Sequence, residues 1–154
     1  MSRCRMSAAV LFAVVIASVP LVAASTPQIS GTVSGIELCE QALCGEAVFA
    51  GGFAGKIDHR KATGVFWTGI THAPLQETDG AVTQITGGTW MIRTKTAVFT
   101  GYVPGGTLTY DLETNTFAVS LTMVVLDGGV GTLQFNGTLD HSVFPPTITG
   151  LISQ

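Results

Sequence analysis

The chain has 154 residues, 46% of them apolar, with seven basic side chains against ten acidic ones and a net charge of −3. So few cations exclude a nucleic-acid binder, which displaces counterions with Lys and Arg, and argue against an anionic membrane surface as partner. The length is that of one ordinary domain, large enough to bury its own core.

The N-terminus reads as a leader. Arg3 and Arg5 precede an uncharged apolar run from Ser7 to Val19. Pro20 ends the run, and Val22-Ala23-Ala24 supplies the small residues that a signal peptidase reads. The run falls short of the roughly 20 residues that span a bilayer. The expectation is a secretory signal peptide over 1–24, a single domain over 25–154, no stable membrane anchor after cleavage, and a periplasmic or extracellular location. Loss of Arg3 and Arg5 leaves five basic residues against ten acids, a net charge of −5.

The first strand signal is ISGTV, Ile29 to Val33. LCEQALCG follows, with Cys39 and Cys44, and is the one segment that reads as a helical turn. In an exported chain a close cysteine pair reads as a disulfide, here closing a small loop for about 2 kcal/mol. Next come FAGKI, a charged turn at Asp58-His59-Arg60-Lys61, and ATGVFWTGITH, which carries Trp67 and ends at His72. His72 to Gly80 is a polar loop containing Pro74. FTGYV leads into Pro104-Gly105-Gly106, read as a turn, and Glu113-Thr114-Asn115 and Asp127-Gly128-Gly129 are tight turns.

The later segments alternate strictly. Phe117, Val119, Leu121, Met123 and Val125 share one face; Leu133, Phe135, Gly137 and Leu139 share another; Ile148, Gly150 and Ile152 close the series. Period two with one apolar face is the mark of antiparallel strands over a core. The expected fold is all-β, a small antiparallel barrel of about eight strands, with a β-sandwich as the alternative.

One pattern recurs five times: apolar-x-Gly-x-apolar, in ISGTV, FAGKI, FTGYV, FNGTL and ITGLI. Parity places each glycine on the buried face. Inward glycines let strands coil at the corners of a small barrel. They also leave interior volume, to be filled by side chains or by a ligand.

Ile85-Thr86-Gly87-Gly88-Thr89, followed by Trp90 and then Gly101-Tyr102-Val103, resembles the dirigent and allene oxide cyclase type of barrel. That pattern has an apolar residue, a Gly-Gly-Thr-Gly turn, a spacer and a Gly-x-apolar strand. The likeness covers about forty residues, Ile85 to Val124, and Trp90 stands where the pattern has glycine. The short Gly-Thr-Trp also resembles the opening of avidin-type barrels. Both resemblances imply an eight-stranded barrel, and neither supplies a catalytic residue.

The candidate chemistry is sparse. His59, His72 and His141 have no spacing that makes local metal ligands. Asp140-His141 suggests an orienter–base pair, although adjacent strand residues face opposite ways. Asp111 to Asn115 resembles the start of a calcium loop, but Thr116 and Thr122 replace its glycine and glutamate, leaving a hairpin turn. No Gly-x-Ser-x-Gly is present. Trp67 and Trp90 are placed to line a barrel mouth and stack on an apolar or sugar ligand, or to cap the core. Lys56, Arg60, Lys61, Arg93 and Lys95 cluster in two places.

No metal or cofactor is called for. The leading expectation is a non-enzymatic module that binds a small apolar ligand in the interior or mouth, through Trp67, Trp90, His72 and His141, or serves as an interaction module outside the cytoplasm. Its Thr-rich outer faces are compatible with homo-oligomers. The alternatives are a cavity enzyme with Asp140, His141 or His72 at the rim, and an outer-membrane barrel with its apolar face toward lipid.

Overall fold

A computed structural model describes Thr26, residues 28–38 and residues 45–154. The leader expected over 1–24 and the cysteines Cys39 and Cys44 lie outside the described residues.

Eight antiparallel strands close into a barrel: β1 (Ile29–Glu37), β2 (Glu46–Ile57), β3 (Arg60–His72), β4 (Val82–Thr94), β5 (Val98–Asp111), β6 (Thr116–Asp127), β7 (Gly131–Asp140) and β8 (Thr147–Ser153). Each strand pairs with the next, and β1 pairs with β8 from Gly31↔Ile152 to Ile36↔Thr147. The sheet has no free edge, so the sandwich alternative falls. The β1–β2, β3–β4, β5–β6 and β7–β8 connections form an upper rim. The β2–β3, β4–β5 and β6–β7 turns form a lower rim.

The five motif glycines all face inward, and each is crowded. Gly31 pairs with Gly55, and Gly137 with Gly150. A β-carbon on Gly31 would stand 2.7 Å from the Gly55 Cα and 2.8 Å from the Phe53 ring. One on Gly137 or on Gly150 would lie within 2.7 Å of the Phe135 ring. Gly31, Gly101, Gly137 and Gly150 are therefore seats for aromatic rings, and Gly55 lets the neighbouring backbone run close. Phe49, Phe53, Phe66, Trp90 and Phe135 are all buried, and the Phe66 and Phe135 rings stack at 6.1 Å. Each such side chain contributes about 1.5–3 kcal/mol through its burial. Side chains fill the interior.

Outside, β7 presents Thr132, Gln134, Asn136 and Thr138, all exposed. A lipid-facing barrel needs apolar residues outward and polar ones inward. On β7 the two faces are the other way round, with Leu133, Phe135 and Leu139 buried.

Two glycine-rich turn expectations are also corrected. β5 runs unbroken through Pro104-Gly105-Gly106, where its pairing with β6 shifts register between Tyr102 and Gly105. Gly87 and Gly88 lie within β4, beside a register shift against β3 at Thr71/His72. Proline and glycine mark bulges as readily as turns.

Candidate functional site

Parity along β1 carries Ile29, Gly31, Val33 and Gly35 inward, and Glu37 follows them at the upper rim. Its Oε2 meets His141 Nε2 at 2.9 Å, with the carboxylate side chain 10% exposed. The His141 and Phe117 rings pack edge to face at 5.1 Å, and Phe117 packs on Tyr110 at 4.8 Å. Tyr110 donates its hydroxyl to Asn115 Oδ1 at 3.1 Å, and the His141 backbone N–H donates to the Asn115 carbonyl. The rim is thus a chain of contacts from β1 through the β7–β8 loop to the β5–β6 turn.

Asp140 does not orient His141. Its Oδ1 accepts the Ser142 hydroxyl at 2.6 Å and the Ser142 backbone N–H at 2.8 Å. Those two bonds, the hydroxyl first, hold its carboxyl below the ordinary value of 3.8. The partner that sequence reasoning missed is Glu37, 104 residues from His141. Continuing the period of ISGTV to its end was the signal that placed Glu37 inside.

His72 is buried at the same rim on β3, four strands from β7 around the barrel. Its Nδ1 donates to the Ala73 carbonyl at 2.7 Å. Topology thus gives His72 and His141 one rim but separate walls. Among the described residues no three His, Cys, Asp or Glu side chains are grouped to hold a metal ion. A carboxylate–imidazole pair is a geometry that orients a general base. The ring faces it brings beside His141 are aromatic.

The two tryptophans diverge. Trp90 is a core pillar, 1% exposed, whose indole N–H reaches the Val124 carbonyl at 3.1 Å. Trp67 points outward from β3 between Ala50 of β2 and Met91 of β4. Its benzo ring lies over Gly69, with Cη2 and Cζ2 at 3.2 and 3.4 Å from where a β-carbon would be. A groove of about 310 Å³ opens beside it, lined by Glu46, Val48, Trp67, Gly69, Thr71 and Thr89. That volume lies at the lower end of small-ligand sites. Gly69 makes the floor because a side chain there would meet the indole. The Thr71 hydroxyl is bonded to that of Thr86 at 3.1 Å.

The fold and these two features define a closed eight-stranded barrel with a filled interior, a polar rim and one aromatic groove on its wall. No family model, curated protein or solved structure matches the chain.

Proposed function

We propose that this is an exported, non-enzymatic binding module that holds a small ligand against Trp67 on its outer wall. The observation that carries this reading is the contrast between the two sides of the sheet. Inside, aromatic rings occupy the space above the glycines. Outside, an indole lies over a glycine floor with hydroxyls and a carboxylate at the groove's margin. A ligand with one flat apolar face and polar edges fits that lining, since indole faces stack on apolar rings and polar groups orient them. Export by the leader over 1–24 and a Cys39–Cys44 disulfide complete the proposal.

The test is a native mass spectrum of the chain exported by a host and purified without detergent. The expected result is a mass above that of the chain beginning at Ser25, less the two hydrogens of the disulfide. The extra mass disappears in Trp67→Ala and persists in His141→Gln. A bare chain mass in the wild type, with no ligand acquired from added aromatic or sugar compounds, overturns the reading.

A further inference from the structure

The net charge hides a polarity. All five described Lys and Arg residues stand at the lower rim: Lys56, Arg60 and Lys61 around the β2–β3 turn, Arg93 and Lys95 around the β4–β5 turn. Lys56 and Lys61 pair directly across β2 and β3, both exposed. Like charges in that position are destabilising. The same rim carries two carboxylates, Asp58 and Asp127, which accept the backbone N–H groups of Gln28 at 3.0 Å and Gly128 at 2.9 Å; five cations against two anions leave it a net charge of +3. Among the described residues the one ion pair is Glu37–His141, at the other end.

Between the two basic hairpins lies a cleft of about 440 Å³. Ile57, Ala62, Ala97 and Phe99 give it an apolar floor, and Arg60 and Lys61 stand at its edge with Asp58 and Thr96. It therefore asks for an apolar group carried on an acidic surround.

The upper rim has that composition. Glu46, Glu77, Asp79, Asp111, Glu113 and Asp140 lie there, and no described Lys or Arg does. Above them Phe144 is 97% exposed, followed by Pro145 and Pro146. Burying such a ring contributes about 1.5–3 kcal/mol.

We infer that the chain associates head to tail, the acidic rim of one copy docking on the basic rim of the next with Phe144 in the cleft between the β2–β3 and β4–β5 hairpins. The contact is heterologous, so it builds rows or rings of copies. Opposite charges on the two rims steer the encounter and fix its polarity. The inference stands apart from the Trp67 groove, which lies on the barrel wall.

Sedimentation velocity on the exported chain tests it. Wild type is expected to form concentration-dependent oligomers at low salt and to dissociate in about 1 M salt, where screening shortens to roughly 3 Å. Phe144→Ser removes the head's anchor and Lys61→Glu blocks the tail; both positions are exposed, so the fold is kept. Each variant alone weakens association by about tenfold or more. An equimolar mixture of the two forms dimers and nothing larger, because one intact head meets one intact tail. A wild type that stays monomeric at low salt overturns the inference, as does salt-insensitive assembly or a mixture that gives no dimer. Binding of dodecanoate by a monomeric wild type also overturns it and reassigns the cleft to a free amphiphilic anion.

Discussion

Trp90 on β4 donates its indole N–H to the carbonyl of Val124 on β6, reaching across β5 where Gly101 leaves the strand bare. A β-carbon on Gly101 would run into that carbonyl and stand 2.7 Å from the indole Nε1. Gly101→Ala is expected to cost about 1–3 kcal/mol, toward the upper end because one obstacle is backbone. Trp90→Phe keeps an aromatic side chain but loses both the bond and part of the buried ring, for about 1–3 kcal/mol from the bond and more from the space left behind. Urea unfolding of each variant measures both, and a midpoint unchanged in Gly101→Ala would contradict the close packing described.

Glycines on the two faces of the sheet are expected to differ in sign. Gly137→Ala pushes into the Phe135 ring and the Thr149 carbonyl, costing about 1–3 kcal/mol. Gly52 faces outward, and its nearest obstacle is the Ser34 carbonyl at 3.9 Å. Gly52→Ala is therefore neutral or stabilising by up to about 1 kcal/mol, through the unfolded chain. Thermal melts of the pair provide the comparison.

The Glu37–His141 pair ties the end of β1 to the loop after β7. His141→Ala leaves a largely buried carboxylate without its partner and is expected to destabilise by about 1–3 kcal/mol. Glu37→Gln retains an acceptor for Nε2–H and costs less. A double-mutant cycle reads the coupling directly, and additive single effects would mean that the contact contributes nothing.

Asp140 predicts an acid-side effect. Its folded value lies below 3.8 because of the Ser142 bonds, so its contribution is complete above that ordinary value. The contribution is lost as pH falls through the lower folded value. Ser142→Ala removes the hydroxyl bond, moves the Asp140 titration upward and starts the loss at higher pH. Carboxyl-carbon NMR titration of both proteins checks the direction.

Much of this architecture is legible in the sequence because parity is a local property. Phe135, Gly137 and Leu139 declare their face within five residues, and the same rule applied to β1 places Glu37 inside. What parity does not carry is which distant residue completes a contact. His141 has Asp140 beside it in sequence and Glu37 beside it in space, because only barrel closure brings β1 next to the loop between β7 and β8. The two basic clusters are visible as separate hairpins, and their union at one rim follows from the up-and-down order of strands. Pro104 misled because a proline beside two glycines accommodates a bulge as well as a turn. Trp67 falls opposite Phe66 and Ile70 by parity alone, whereas the register shift near Gly88 reverses the parity of β4 after Ile85 and turns Trp90 inward.

The seam between β1 and β8 has one more consequence. These strands are in antiparallel register like every other neighbouring pair, and Ile29 and Ser153 lie at the same rim. The seam is chemically a hairpin that lacks only its linker, so the barrel has no privileged first strand. A circularly permuted gene, joining β8 to β1 and opening the Asp127–Gly131 turn, would encode the same set of ladders. Sequence order here is one of several ways to traverse a ring.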